Sequence, residues 1–240
     1  MNELDKVLEK GRALIAFITA GDPDPEVSVK YALALQKGGA DVLELGIPFS
    51  DPTAEGVQIQ DANIRALKAG TNVEKTFEIV GQVRKNSDIP IVLRSYLNPV
   101  FRYGYKAFFS ACARLGVCGL EVPDLPFEEK DEAADIAREY GVYIISLIAP
   151  APEERIRKIA SEAQGFISAC GSFDEQNALA VRIGGKVAVQ ALTPEQAALC
   201  RGAAVSTGCG AVDIIAMLGE HAESALIDYA RKMKAALRAR

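Results

Sequence analysis

Eight short β-rich runs recur along the chain, at residues 14–20, 41–47, 90–96, 119–123, 143–149, 165–169, 186–191 and 203–207. Between them lie stretches with apolar residues at helical spacing, such as Val29, Leu33 and Leu35 after the first run or Ile156, Ile159 and Ala160 after the fifth. Eight strand-then-helix repeats within 240 residues predict a single-domain (β/α)8 TIM barrel over residues 1–240, with no composition shift or linker to suggest a second domain. The second crossover, residues 48–89, has room for a loop and two helices, whereas the sixth, residues 172–185, leaves little loop above its helix.

Composition narrows the function classes. With 27 Lys+Arg against 32 Asp+Glu and no basic block, the chain lacks the electrostatic footprint that phosphate backbones require, so nucleic acid is set aside. No apolar stretch approaches the ~18 residues of a membrane span, and residues 1–10 are charged throughout, so a cytoplasmic protein is expected. Cys112, Cys118, Cys170, Cys200 and Cys209 are odd in number, sit in apolar segments and form no C-x-x-C, which argues against disulfides and zinc. The one histidine, His221, lies in a polar stretch near the C-terminus, so no internal imidazole is available to activate a nucleophile. Acid–base chemistry must come from carboxylates, lysine or tyrosine.

In such a barrel the reactive groups sit at the C-terminal ends of the strands. Alternation along Val42-Leu43-Glu44-Leu45-Gly46 puts Val42, Glu44 and Gly46 on one face. If that face is the interior, Glu44 is desolvated and its carboxyl holds its proton toward neutral pH, as an acid–base residue must; a buried Glu paired with Lys or Arg fits the same pattern. Asp51 and Glu55 follow in a loop that could bring a second carboxylate over the cavity, although spacing alone favours solvated loop acids. Thr207-Gly208-Cys209-Gly210 ends the eighth run before a helical start, and suits either an anion at a helix N-terminus or a plain tight turn.

Longer strings carry a resemblance. Ala16-Phe17-Ile18-Thr19-Ala20-Gly21-Asp22-Pro23, Leu43-Glu44-Leu45-Gly46-Ile47-Pro48-Phe49-Ser50-Asp51-Pro52, Tyr96-Leu97-Asn98-Pro99 and Val122-Pro123-Asp124-Leu125-Pro126 closely resemble the tryptophan synthase alpha chain. The likeness runs from about residue 12 to about residue 163 and resumes at Thr193-Pro194-Glu195-Gln196. It implies a (β/α)8 lyase that splits indole-3-glycerol phosphate into indole and glyceraldehyde 3-phosphate, with no cofactor of its own, beside a pyridoxal-phosphate beta subunit that consumes the indole. On that resemblance Glu44 is the acid–base glutamate and Glu55 stands where the family has an aspartate. Phe17, Arg94, Tyr96, Glu121, Gly208 and Cys209 fall at substrate-binding positions, and Asp51, Asn98, Pro99, Asp124 and Pro126 at the beta-subunit contact or the loops that close the site.

The departures from the family pattern cluster on the substrate pocket. Arg94 and Glu121 replace apolar residues that line the indole subsite, and on neighbouring strands ~4.8 Å apart they could pair across the wall. Cys170-Gly171-Ser172-Phe173-Asp174-Glu175 stands in place of the phosphate loop after strand six, Gln190-Ala191-Leu192 in place of a Gly-Phe-Gly, and Cys209 in place of a phosphate-binding serine. A working lyase predicts an open apolar slot beside Glu44. A catalytically silent or repurposed paralogue, serving as a binding or regulatory subunit or cleaving a more polar substrate, predicts a site filled by Arg94 and Glu121.

Overall fold

The computed structural model describes residues 2–239. Strands β1 (Ala13–Thr19), β2 (Val42–Gly46), β3 (Ile91–Arg94), β4 (Val117–Glu121), β5 (Tyr143–Ile148), β6 (Ile167–Ala169), β7 (Val187–Gln190) and β8 (Ala204–Ser206) run parallel and close into a barrel in chain order. Ahead of β1 lies α1 (Glu3–Glu9), and α2 (Pro25–Gly38) makes the first crossover. The long second crossover holds α3 (Val57–Lys68) and α4 (Val73–Arg84), as its length predicted. The outer layer continues with α5 (Leu97–Tyr103), α6 (Tyr105–Arg114), α7 (Asp131–Glu139), α8 (Glu153–Glu162), α9 (Phe173–Ile183), α10 (Pro194–Leu199), α11 (Gly210–Leu218) and α12 (Glu223–Arg238). Among the described residues no helix is long and apolar enough to cross a membrane.

Every residue of β1, β2 and β4 is buried, because outward side chains meet helices while inward ones meet each other. Leu14, Ala16, Ile18, Leu43 and Leu45 pack under the helices. Ile15, Val42, Val92, Ile145 and Ala188 fill the interior together with Leu4 and Leu8, so α1 plugs the floor. Full burial of a Leu or Ile of this kind contributes roughly 1.5–3 kcal/mol. Asn2 anchors the plug: it caps α1 by accepting from the Leu4 N–H, and its Nδ2 donates to the Cys118 carbonyl at 2.9 Å. With the floor closed, a ligand can enter only from the C-terminal ends of the strands.

Strand ends differ from the sequence expectation by about two residues. β6 begins at Ile167 rather than 165 because Gly165 turns with φ +64°, and β3 stops at Arg94 because Tyr96 already caps α5. β4 starts two residues earlier than expected, at Val117, which pairs with Ile91.

Candidate active site

Register brings the site residues together. Phe17 lies opposite Glu44, and one row further up Thr19, Gly46, Arg94 and Glu121 stand side by side on four neighbouring strands. Since Phe17, Glu44, Arg94 and Glu121 share the inward parity of Ile15, Val42 and Val92, all four side chains enter the barrel mouth. Gly46 makes room for them: a Cβ there would lie 3.0 Å from the Phe17 ring. The Phe17 backbone N–H donates to the Thr207 hydroxyl at 3.0 Å, tying β1 to the end of β8.

Arg94 organises the charges. Its Nε lies 2.9 Å from Glu55 Oε1, and its Nη1 lies 3.2 Å from Glu121 Oε1 and 4.0 Å from Glu44 Oε1. The pairing of Arg94 with Glu121 across the wall is as the sequence anticipated, and Glu55 and Glu44 join the same cluster. The guanidinium carbon also sits 5.8 Å from the centre of the Phe17 ring. Geometry leaves the cluster short of directed hydrogen bonds: Arg94 Nε, Glu44 Oε1 and both Glu121 carboxyl oxygens have none.

One cation cannot satisfy three buried carboxyl groups in ionised form. Burial is the first cause that raises Glu44, to about 8; the neighbouring Glu121 carboxylate adds to it, Arg94 opposes it and Glu55 adds again. Glu121 is raised by burial too, against Arg94 and against a Ser168 hydroxyl that is near but not aligned for a good hydrogen bond. Arg94 is pulled down by burial and pulled up further by Glu121, Glu44 and Glu55, so it stays charged. Glu44 is therefore a buried proton donor at neutral pH.

Two sequence expectations need correction. Glu55 is not a solvated loop acid: its side chain is 7% exposed, because Arg94 on β3 draws it in. Asp51, in the same loop, is exposed as expected. The open apolar slot expected beside Glu44 is absent, since Arg94 occupies that space and leaves only a void of about 10 Å³ among Phe17, Thr19, Gly46, Tyr96 and their neighbours.

Above Arg94 a cavity of about 440 Å³ runs toward the rear of the barrel mouth. Glu55, Ile59, Arg94, Ser168, Gly208 and Cys209 line it, together with Gln176, Gln190 and Gln196, while Glu44 and Glu121 lie beneath. The Tyr96 hydroxyl accepts from the Ala54 N–H at 2.7 Å and its ring packs 5.4 Å from Phe49, so it fastens the Glu55 loop to β3. Cys209 caps α11, and burial raises its thiol, as does the Asp213 carboxylate. Gln190 stands in the Gln190-Ala191-Leu192 departure after strand seven; Gln176 and Gln196 were not foreseen as cavity residues, and the one sequence signal for Gln196 was the Thr193-Pro194-Glu195-Gln196 start of α10, where the Thr193 hydroxyl accepts from the Gln196 N–H. Asn98, Asp124 and Pro126 are exposed and Pro99 half-buried on the same end of the barrel, outside the cavity; Asp124 Oδ1 accepts from the Leu97 N–H at 2.9 Å.

Comparison with known proteins gives a consistent picture. The family model described as tryptophan synthase alpha chain matches residues 4–228. A tryptophan synthase alpha chain of Lacticaseibacillus casei is 42% identical over 258 aligned positions, covering 100% of this chain and 97% of that relative. Among solved structures, tryptophan synthase subunit alpha of Legionella pneumophila str. Paris superposes with a TM-score of 0.91 at 34% identity, over 99% of this chain and 98% of that one. A chain from a study of mutual activation in the tryptophan synthase a2b2 complex of Pyrococcus furiosus superposes with a TM-score of 0.86 at 37% identity, over 93% of this chain and 97% of that one.

Proposed function

Because the chain belongs to the tryptophan synthase alpha chain family, whose reaction is the cleavage of indole-3-glycerol phosphate to indole and glyceraldehyde 3-phosphate, we propose that Glu44 is its acid–base residue and Glu55 the partner carboxylate. A carbanion at indole C3 is a poor leaving group, so C3 must first be protonated. Glu44, holding its proton to about pH 8, gives that proton to C3 while Glu55 accepts the ring N–H proton. The C3-protonated ring is then an electron sink. Glu44, now a carboxylate, takes the proton of the hydroxyl on the adjacent side-chain carbon; the C–O bond becomes C=O and the C–C bond breaks. Its electron pair restores the C2–C3 double bond, and the ring nitrogen recovers its proton from Glu55.

Phe17 and Tyr96 supply the apolar wall for the ring, Arg94 and Glu121 face it across the mouth, and Gly208 with Cys209 bounds the far end of the cavity. Arg94 lines the cavity and Glu44 does not, so this reading requires the guanidinium to turn outward before the ring reaches Glu44. The observation that carries this reading is Glu44 itself: inward on β2, buried and still protonated near pH 7.

We also assign Asp51, Asn98, Pro99, Asp124 and Pro126 to a docking surface for a tryptophan synthase beta subunit, next to the exposed ring of Phe101. A cytoplasmic setting goes with this assignment. The decisive experiment is indole release from indole-3-glycerol phosphate by the purified chain, alone and with a beta subunit, against Glu44→Gln as the blank. Release equal to the blank from a folded protein under both conditions would remove the lyase assignment.

A further inference from the structure

The Arg94 guanidinium stands where the lyase reading puts the indole ring, and its contacts show what that space offers. Nη1 lies 3.2 Å from Glu121 Oε1 and 4.0 Å from Glu44 Oε1, Nε lies 2.9 Å from Glu55 Oε1, and the guanidinium carbon lies 5.8 Å from the centre of the Phe17 ring. A flat cation beside one aromatic ring thus meets three carboxyl groups around its edge. An indole in the same space uses two of them: C3 faces Glu44 and the ring N–H faces Glu55, both from the five-membered ring. The six-membered ring is left toward the third group, Glu121, on β4 and two strands from Glu44 on β2.

Glu121 is 1% exposed, and neither of its carboxyl oxygens has a hydrogen bond. Ring C–H groups cannot repair that, so a bare indole leaves a buried carboxyl group unsatisfied once the guanidinium has moved. A ring hydroxyl both donates and accepts, and so matches this carboxyl group whether or not it holds a proton. Burial favours the protonated form, which adds a donor once Arg94 has turned away. The Ser168 hydroxyl, next to Glu121 and lining the cavity, supplies a second partner of the same kind.

We propose that Glu121, with Ser168 beside it, is a specificity-determining subsite for a hydroxyl on the six-membered ring, so that the chain cleaves ring-hydroxylated indole-3-glycerol phosphates alongside the parent compound and prefers them to their methylated isosteres. Turnover of these substrates rests on the lyase reading above: the same C–C bond breaks and the same proton transfers balance it, with a hydroxyindole leaving in place of indole. Binding rests on the geometry of Phe17, Arg94 and Glu121 alone.

Titration calorimetry of the full chain with 5- and 6-hydroxyindole against 5- and 6-methylindole reads the subsite without turnover. Methyl is close to hydroxyl in size and more apolar, so a ring pocket with no polar partner binds the methyl compounds tighter. The reverse order is expected here, by about tenfold at one or both positions. Methyl compounds bound as tightly or tighter at both positions overturn the proposal, and so does binding of none of the four to the folded protein. Glu121→Leu should invert the order, whereas Glu121→Gln, which keeps a donor and an acceptor, should leave hydroxyl ahead of methyl. An order unmoved in folded Glu121→Leu overturns the assignment to Glu121; should that variant not fold, the order in the parent chain and in Glu121→Gln decides. Glyceraldehyde 3-phosphate release from indole-3-glycerol phosphate and from at least one of its 5- and 6-hydroxy derivatives supports the proposal, and release from the parent compound alone overturns it while keeping the lyase. Release from none overturns the lyase reading, and the binding order still decides the subsite.

Discussion

Between β1 and β4 the barrel buries charge and leaves it short of partners; between β5 and β8 it buries none among the described residues. Among the described residues Asp22, Glu44 and Glu121, together with the Glu55 side chain, are the buried carboxyl groups, and the buried polar side-chain atoms without a hydrogen bond belong to Thr19, Glu44, Thr71, Arg94 and Glu121, all between the start of β1 and the end of β4. The second half does the reverse. Gln176 and Gln196 turn inward to satisfy backbone N–H groups of neighbouring loops, and Glu175 closes its own helix start. Unsatisfied buried groups are costly, and folded proteins tolerate them chiefly where a group must react. The contrast thus separates a half that holds a proton under tension from a half that has settled its polar groups internally.

The sharpest way to break this contrast is at Glu44. Glu44→Gln removes the transferable proton with almost no change in shape, so indole release should fall by about 10³-fold or more while thermal unfolding stays the same or rises. Steady-state assays at matched folded fraction check this, and turnover within tenfold of the parent would exclude Glu44 from the proton transfers.

Arg94 tests whether the charge cluster is one unit. Arg94→Leu leaves Glu44, Glu55 and Glu121 facing one another without a cation, and urea unfolding should show a loss of about 3–5 kcal/mol. Arg94→Leu/Glu121→Leu removes a carboxyl group together with the guanidinium and replaces both with packed apolar surface, so most of that loss should return. The double variant should also lower KM for the indole substrate, since the ring no longer has to displace a guanidinium from beside Phe17. If single and double variants are equally unstable, Glu121 is not part of the cluster's balance.

The pH dependence follows from the sign of the Glu44 shift. Glu44 is raised from 4.5 to about 8, so the folded protein binds a proton that the unfolded chain releases between those values. Its contribution to stability is fully present below about pH 4.5 and is lost as pH rises through about 8. Unfolding free energy should therefore decline over that window by up to about 1.4 kcal/mol per pH unit, and Glu44→Gln should flatten the slope. Indole release should fall on the alkaline side of about pH 8 as the acid is lost. A slope unchanged by Glu44→Gln would assign the proton to Glu121.

How far the sequence carries the reader differs between the halves for a physical reason. The eight strands and the inward face of Glu44 were legible because strand periodicity is two and a closed barrel fixes which parity is interior. The pairing of Arg94 with Glu121 was legible because neighbouring parallel strands put equivalent rows side by side. The burial of Glu55 was not, since a loop acid has no periodicity and its position is set by a guanidinium on another strand. Nor were the inward glutamines: Gln176 on α9 accepts from the Gln190 N–H of β7, a contact that exists only once helix and strand have packed.

The smallest expected effect lies in that second half. Gln196→Ala removes the side-chain oxygen that accepts from the Leu192 N–H, at a site open to solvent, so water can replace it and the stability loss should be about 1 kcal/mol or less by urea unfolding. The freed N–H belongs to Leu192, which lines the cavity together with Gly208, and the loop stays fastened at its carbonyl side by the Tyr229 hydroxyl, which donates to the Leu192 carbonyl at 3.1 Å. An N–H exposed on an otherwise fixed loop is a donor for an anion. Glycerol 3-phosphate should therefore inhibit indole release by Gln196→Ala about 3-fold more tightly than it inhibits the parent, with glycerol inhibiting both alike. Equal inhibition would mean that the donors of this loop are aimed away from the cavity, and that the difference between the halves lies in charge alone rather than in how each disposes of its backbone N–H groups.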